Sequence, residues 1–210
     1  MQTPLLSSLT LLAGNSTRMG RLKQHVSLAG VPFLQRIIGK LLAIKQSLHA
    51  MVFVGQANDQ DSQSLVADSG GIWLSNPCPA DGPLSSIRLG LGKIDPGSAI
   101  LLWPVDHPMI AAATLEGLIA SWQQQPELIT VPSDGQRRGH PGIYPAWCRP
   151  LFFEIDLASG ARQIMQLHPD RIQHLLTDDP WITRNLNTPE ALADAEACLI
   201  SEKPVRQSSE

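Results

Sequence analysis

Two glycines and two basic side chains lie close together in one loop near the start of the chain. The loop follows an apolar run and reads GNSTRMGRLK. Gly14 and Gly20 permit tight turns whose backbone amides can bind phosphate oxygens, and Arg18 and Lys23 add the positive charge that a triphosphate attracts. Neither GxxxxGK[ST] nor GxGxxG fits, because Met19 stands where the first pattern needs glycine. Two interpretations stay open on the residues alone: a phosphate-binding loop, and a polar strand–helix loop with incidental basic residues.

A second candidate is Asp106, which directly follows a strongly apolar run at residues 99–105. An aspartate at the carboxyl end of a strand can hold Mg²⁺, which prefers carboxylate and phosphate oxygens. Aspartate also commonly starts turns, so a turn residue is the alternative. We interpret the neighbouring His107 as a loop residue near the substrate rather than as a metal ligand.

Further candidates lie in the basic segment that reads RRGHPG. Taken alone, His140 beside glycine and proline is typical of a turn histidine. Arg137 and Arg138 fit two interpretations equally: they steer anionic groups of a substrate, or they belong to a solvated basic loop.

These residues need a scaffold, and short apolar runs alternate along the chain with segments of helical period. The predicted strands cover residues 5–13, 50–55, 71–74, 99–105, 127–132 and 171–176. The predicted helices cover residues 32–48, 84–91, 111–122, 150–155, 161–167 and 189–200. This alternation predicts an α/β fold, a doubly wound and mostly parallel sheet with helices on both faces. Ligands of such sheets bind beyond the carboxyl ends of the strands, so the loops after Ala13, Val105 and Pro132 should carry the chemistry.

Length and composition exclude several classes of protein. The 210 residues are 43% hydrophobic and 17% charged, which is typical of one folded domain, and we expect it at residues 1–200 with a polar tail at 201–210. A net charge of −3 argues against nucleic-acid binding through a broad basic face, and no apolar run is long enough to span a membrane. Cys78, Cys148 and Cys198 form no CxxC pair, so we expect buried small side chains in a reducing compartment, the cytoplasm.

The first loop resembles the LAAGxSxRMGxxK signature of the molybdenum cofactor nucleotidyltransferase family, the cytidylyl- and guanylyltransferases that act on molybdopterin. This resemblance implies a Rossmann-like sheet and a loop that wraps the nucleotide phosphates. It implies that Arg18 neutralises the leaving β,γ-phosphates and that Lys23 stabilises charge developing on the α-phosphate. The other nucleotide contacts that it implies in this loop are Ala13, Gly14, Ser16 and Gly20.

Three further segments resemble motifs of the same family. WPVDHP resembles PxDxP, whose aspartate binds the metal, so Asp106 is the implied Mg²⁺ ligand. GPLSSIRLGL resembles GxxSSLxxGL beside the base and ribose, which implies contacts from Gly82, Ser85 and Ser86, although Ser86 could instead cap a helix. RGHPG resembles the RGHP motif on the acceptor side, which makes His140 a substrate contact rather than a turn histidine.

Two segments depart from the family pattern. NLNTPE resembles DIDTPED, whose second acidic residue completes the Mg²⁺ site; Asn187 takes that position, and Asn185 replaces the first aspartate. An amide oxygen can bind Mg²⁺ but attracts it less than a carboxylate does. LASGAR keeps only the Gly-Ala-Arg end of GDxGAR, so an acceptor other than molybdopterin stays open.

The resemblance implies an Mg²⁺-dependent nucleotidyltransferase that moves CMP or GMP from a nucleoside triphosphate to molybdopterin and releases pyrophosphate. Ala13 favours CTP over GTP, because cytidylyltransferases of the family tend to carry LAAG and guanylyltransferases LAGG. The alternatives are transfer to another small phosphate acceptor, such as a sugar phosphate, and a non-catalytic nucleotide-binding chaperone for a molybdoenzyme. The family also implies a molybdoenzyme as a partner, whereas nucleic acid and membrane are not expected.

Overall fold

Seven strands form the central sheet of the computed structural model, which describes residues 4–14, 22–157 and 160–201. The strands in chain order are β1 (Leu6–Leu11), β2 (Ser27–Leu28), β3 (Val31–Pro32), β4 (Ala50–Gly55), β5 (Ile72–Ser75), β6 (Ala99–Pro104), β7 (Ile129–Ser133), β8 (Gly142–Tyr144) and β9 (Ile172–Leu176). The helices are α1 (Phe33–Ala43), α2 (Gln60–Asp68), α3 (Pro83–Leu91), α4 (Ala112–Gln124), α5 (Leu151–Glu154), α6 (Arg162–Leu167) and α7 (Pro189–Ser201). Strands β2 and β3 pair with each other in a separate two-stranded ribbon.

The strand order of the sheet is β5-β4-β1-β6-β8-β7-β9. Strand β8 runs antiparallel to both of its neighbours, β6 and β7, whereas the β1–β4, β1–β6, β4–β5 and β7–β9 pairs are parallel. The chain leaves β1 toward β4 and β5 on one side and later returns to place β6 on the other side. The direction of winding therefore reverses at β1 and β6, and a crevice opens beyond the carboxyl ends of such a strand pair.

Two apolar layers cover the sheet, one on each face. Successive residues of β6 alternate between them: Leu101 and Trp103 pack in the layer that holds α1 and α4, whereas Ile100 and Leu102 pack in the layer that holds α3 and α5. This alternation is the period of two that a strand imposes on its side chains. Strands buried on both faces read as continuous apolar runs, which is why β6 was predictable from AILLWPV. The predicted doubly wound, Rossmann-like fold is confirmed.

Some expectations need correction. Helix α1 ends at Ala43 rather than at residue 48, because a 3-10 turn at Lys45–Ser47 follows it. The strands β2, β3 and β8 and the helix α2 were not predicted. Cys148 is buried, Cys198 is partly buried and Cys78 is exposed, so the expectation of three buried cysteines holds for Cys148 and is wrong for Cys78.

The described residues include no helix that is both long and apolar enough to cross a bilayer. Residues 202–210, most of the predicted tail, lie outside the described residues.

Candidate active site

A cavity of about 1260 Å³ opens beyond the carboxyl ends of β1, β6 and β7, and we call it the edge cavity. Its volume exceeds that of an ordinary small-ligand pocket, so it has room for more than one small substrate. The predicted site residues that line it are Ala13, Gly14, Lys23, Gly82, Ser86, Asp106 and His140. The predicted Ser16, Arg18 and Gly20 lie outside the described residues and stay predictions.

Lys23 contacts both of the predicted metal-site residues, Asp106 and Asn187. Its Nζ lies 3.4 Å from Asp106 Oδ2 and donates a hydrogen bond to Asn187 Oδ1. The Lys23 and Asp106 side chains are 21% and 19% exposed, so both are open to a ligand in the cavity. The backbone fixes this arrangement, because the Leu186 amide donates to the Asp106 carbonyl at 2.8 Å. Asn185, by contrast, is exposed.

The donor set at Asp106 and Asn187 fits a magnesium site that substrate phosphates complete. A carboxylate oxygen and an amide oxygen are both hard ligands, and protein Mg²⁺ sites often use one or two such groups together with phosphate. Within residues 4–14, 22–157 and 160–201, no group of three His, Cys, Asp or Glu side chains could hold a metal by itself.

Two histidines lie against each other beside Asp106. The rings of His107 and His140 have centroids 4.7 Å apart and planes tilted by 50°. His107 is buried and its Nδ1 donates to the Trp181 carbonyl at 3.4 Å, while the His140 amide donates to the Ile182 carbonyl at 2.8 Å. His107 is thus a packing partner behind the cavity, and it is His140 that lines it.

Burial decides the charge of both rings. Burial and, to a smaller extent, His107 together lower the pKa of His140 to about 4, against the still smaller opposing attraction of Asp106. Burial also lowers the pKa of His107 below its ordinary value, although Asp106 and the Trp181 carbonyl oppose this. Both rings are therefore neutral near neutral pH. His140 can exchange hydrogen bonds with a substrate but brings no positive charge.

The two predicted serines belong to a hydrogen-bond network centred on Asn76. The Asn76 side-chain amide donates to Ser85 Oγ at 2.8 Å and to Ser86 Oγ at 2.9 Å. Ser86 does not cap α3, because Gly82 holds the N-cap position with φ +83°. Ser86 lines the edge cavity, whereas Ser85 is not one of the described residues that line it. The Ser85 hydroxyl instead donates to the Gly82 carbonyl at 2.8 Å.

Asn76 is a residue that sequence reasoning missed. It is buried, directly follows the carboxyl end of β5, and accepts the Cys78 amide at 2.8 Å through Oδ1. The rule that directed attention to the loops after β1, β6 and β7 applies equally to the loop after β5. That strand is short and half-exposed, so its apolar pattern is weak and the sequence did not indicate a site at its carboxyl end.

The wall of the cavity beside β7 and β9 is cationic. Arg137, Arg138 and Arg162 line it, with Arg137 Nη2 3.1 Å from Asp134 Oδ2 and Arg138 Nε donating to His174 Nε2 at 3.0 Å. Gly139 fits tightly there, because a Cβ at this position would lie 2.6 Å from the Ile182 carbonyl oxygen. Arg137 and Arg138 are exposed and also line the cavity, and their steering of anionic substrate groups stays a prediction.

Comparison with known proteins gives one family match. The model of the MobA-like NTP transferase domain matches residues 9–174. A probable molybdenum cofactor guanylyltransferase of Trichormus variabilis is 28% identical over 193 residues, covering 90% of this chain and 89% of its own.

Two solved structures share the fold. Molybdopterin-guanine dinucleotide biosynthesis protein A from Archaeoglobus fulgidus is similar with a TM-score of 0.67 at 17% identity, over 93% of this chain and 99% of its own. The complex of Rv0371c from Mycobacterium tuberculosis with manganese is similar with a TM-score of 0.72 at 19% identity, over 92% of this chain and 98% of its own.

Proposed function

Because this chain belongs to the family of MobA-like NTP transferase domains, we propose that it transfers a nucleoside monophosphate from a nucleoside triphosphate to the phosphate of molybdopterin. A phosphate oxygen of the acceptor attacks the α-phosphorus, the new P–O bond forms, and the bond to the β-phosphate breaks. Pyrophosphate leaves with the bonding electrons. No covalent enzyme intermediate is required, because a phosphate oxyanion is already a nucleophile.

The observation that carries this proposal is the contact of Lys23 with Asp106 and Asn187, of which Lys23 and Asp106 line the edge cavity. Charge accumulates on the α-phosphate as the new bond forms, and an ammonium held nearby lowers the energy of that state. The two oxygens beside Lys23 keep its ammonium in place before the nucleotide binds.

Asp106 and Asn187 are the residues that would hold the magnesium ion of this reaction. When bound, the ion supplies positive charge to phosphate oxygens. The manganese complex of the Mycobacterium tuberculosis protein supports a divalent metal in this fold. Arg18, which we predict on the leaving β,γ-phosphates, keeps that role as part of the proposal.

The opposite wall suits the acceptor. Arg137, Arg138 and Arg162 attract anionic groups, and the neutral ring of His140 offers a hydrogen bond without adding charge. Because the acceptor phosphate attacks as an oxyanion, His140 orients it and does not need to remove a proton.

We propose GTP as the nucleotide donor. The names of the Trichormus variabilis and Archaeoglobus fulgidus proteins support guanine. The expectation of CTP, which rests on Ala13 alone, is the alternative that the assay decides.

The test is pyrophosphate release with each of the four nucleoside triphosphates, with Mg²⁺, and with or without molybdopterin. We expect release with GTP only when molybdopterin is present, and a pterin dinucleotide as the second product by mass spectrometry. Release with CTP alone would instead establish the cytidylyltransferase. Tight nucleotide binding without release from any triphosphate would contradict the proposal and favour the non-catalytic chaperone or a different acceptor, such as a sugar phosphate.

A further inference from the structure

A buried carboxylate outside the edge cavity holds the turn that carries Lys23. Asp59 follows the carboxyl end of β4, stands at the N-cap of α2 and is 5% exposed. One of its oxygens accepts from Gln24 Nε2 at 2.6 Å, and the other contacts His25 Nε2 at 2.7 Å and accepts from the Ser62 amide at 3.2 Å. Gln24 and His25 are the two residues directly after Lys23.

The local geometry connects this carboxylate to the direction of the Lys23 side chain. Residues Lys23–His25 form a 3-10 turn, closed where the Val26 amide donates to the Lys23 carbonyl at 3.0 Å. A 3-10 helix has about three residues per turn, so three successive side chains point in three different directions. When Gln24 and His25 are both bound to Asp59, the remaining direction belongs to Lys23, and it leads to Asp106 and Asn187.

We propose that Asp59 is a positioning residue for Lys23, setting the ammonium against the reacting phosphate without touching the substrate. The assignment of a reaction to Lys23 rests on the proposed function. Asp59, Gln24 and His25 are not among the described residues that line the edge cavity. Asp59 therefore acts on the Lys23 ammonium through the 3-10 turn.

The simpler role for Asp59 is that of a helix cap alone. Capping α2 uses the single contact to the Ser62 amide, whereas the side-chain contacts to Gln24 and His25 reach back to a different element. Although burial raises the pKa of Asp59, the hydrogen bonds from Gln24, Ser62 and His25 outweigh it and lower the pKa below its ordinary value. The group therefore stays an anion, and bonds to an anion are stronger than neutral ones.

Asp59→Asn separates the two roles. Asparagine is as good an N-cap as aspartate, so α2 keeps its cap. The substitution turns one acceptor oxygen into an NH₂ donor and removes the charge, so neither Gln24 nor His25 keeps a bond to a carboxylate. Asp61→Asn, an exposed carboxylate in the first turn of the same helix, is the matched control.

The kinetic test compares Asp59→Asn in the wild-type chain and in a Lys23→Ala chain. Misplacing the ammonium should lower kcat about tenfold and change the KM for the nucleotide by less than about twofold. With Lys23 already removed, the same substitution should lower kcat by less than about twofold, because two residues that act as one unit are not additive. An equal fall in both backgrounds, or no fall in the wild-type chain, would overturn the proposal.

A second readout needs no turnover. The acylation rate of individual lysines, followed by mass spectrometry, reports how firmly the Lys23 amine is held. We expect Asp59→Asn to raise the Lys23 rate several-fold and to leave Lys40, which donates to the Pro108 carbonyl at 2.9 Å, unchanged as internal reference. An unchanged Lys23 rate overturns the positioning role. If the wild-type chain showed no nucleotidyl transfer, the proposed function would be overturned instead. The acylation rate of Lys23 would still test whether Asp59 positions it.

Discussion

Lys23 stands between an oxygen that carries charge and one that does not, Asp106 Oδ2 and Asn187 Oδ1. Where the resembling family motif has a second aspartate, the Asn187 amide keeps the hydrogen bond and would lower the negative charge around the proposed metal. Between these two residues the ammonium therefore faces one negative charge rather than two.

Asp106→Ala should abolish nucleotidyl transfer while the fold survives. The side chain is partly exposed just after a strand, so its loss removes the proposed metal ligand and a partner of Lys23 without opening the core. Turnover with Mg²⁺ and urea unfolding of the same preparation test this. A variant that turns over at a near-normal rate would refute the assignment of the metal to Asp106.

Lys23→Ala should lower kcat more than it raises the KM for the nucleotide. An interaction that strengthens only as charge develops on the α-phosphate is lost from the transition state and not from the bound substrate. Steady-state kinetics with saturating acceptor give both constants. The reverse pattern, a raised KM with an unchanged kcat, would mean that Lys23 binds the nucleotide before reaction and no more.

His140 should make the stability of the protein fall in mildly acidic solution. Its pKa is about 4 in the folded chain against an ordinary value of 6.5, so between these values the unfolded chain binds more protons. This contribution to stability is complete above the ordinary value and is lost as the pH falls to the folded one, by up to roughly 3 kcal/mol.

Urea unfolding at about pH 7 and about pH 5 measures this loss. We expect His140→Asn to show a smaller drop than the wild-type chain. His49→Asn, at an exposed histidine, should keep the wild-type drop. Equal drops in all three proteins would rule out a lowered pKa of His140.

At the scale of elements, two helix glycines should respond in opposite ways to the same substitution. Helix α3 lies so close to β1 that a Cβ at Gly90 would overlap the buried side chain of Leu9, whereas nothing lies within 4 Å of a Cβ at Gly39 in α1. Gly90→Ala should lower the free energy of unfolding by about 1–3 kcal/mol, the usual cost of overpacking. Gly39→Ala should raise it by up to about 1 kcal/mol through helix propensity. Thermal unfolding decides, and a Gly90→Ala protein as stable as the wild type would contradict this close packing.

The elements that the sequence alone located are those with a continuous apolar run or a clear helical spacing of apolar residues. Strand β4 was predicted at its observed bounds, because AMVFVG is an unbroken apolar run, and α4 was found within two residues at each end. Helix α2 was missed because QDSQSLVAD buries only Ser62 and Val66, too few positions for a helical pattern. Strand β8 has three residues, which is shorter than any periodic signal. Pairing with β6 and β7, not propensity, makes it a strand.

At the scale of the whole molecule, charge is distributed unevenly. The chain carries a net charge of −3, yet the charged residues described as lining the edge cavity are one carboxylate and four cations: Asp106, Lys23, Arg137, Arg138 and Arg162. A positively charged cleft in a protein of negative net charge concentrates the electrostatic field that attracts anionic substrates. Sequence showed the overall charge but could not show this separation, because Lys23, the adjacent pair Arg137 and Arg138, and Arg162 lie far apart along the chain.

The rate constant kcat/KM should therefore fall as salt rises. Increasing the ionic strength from about 0.05 M to about 0.5 M shortens the screening length and weakens the attraction of the cleft for a triphosphate. Arg137→Gln should flatten this dependence, and Lys93→Gln, at an exposed lysine outside the described lining, should leave it unchanged. Equal salt dependence in all three proteins would refute steering by the cavity wall.

The reversed direction of β8 has a consequence for how such a protein can diversify. Strand β7 reaches the carboxyl edge of the sheet and β8 departs from that same edge, so the connection that carries Arg138 and His140 needs no crossover helix. Its length and composition can change like those of a hairpin loop, while the strands that carry the proposed nucleotide-binding loops keep their register. Substitutions, insertions or deletions confined to the β7–β8 connection could therefore change the acceptor during evolution.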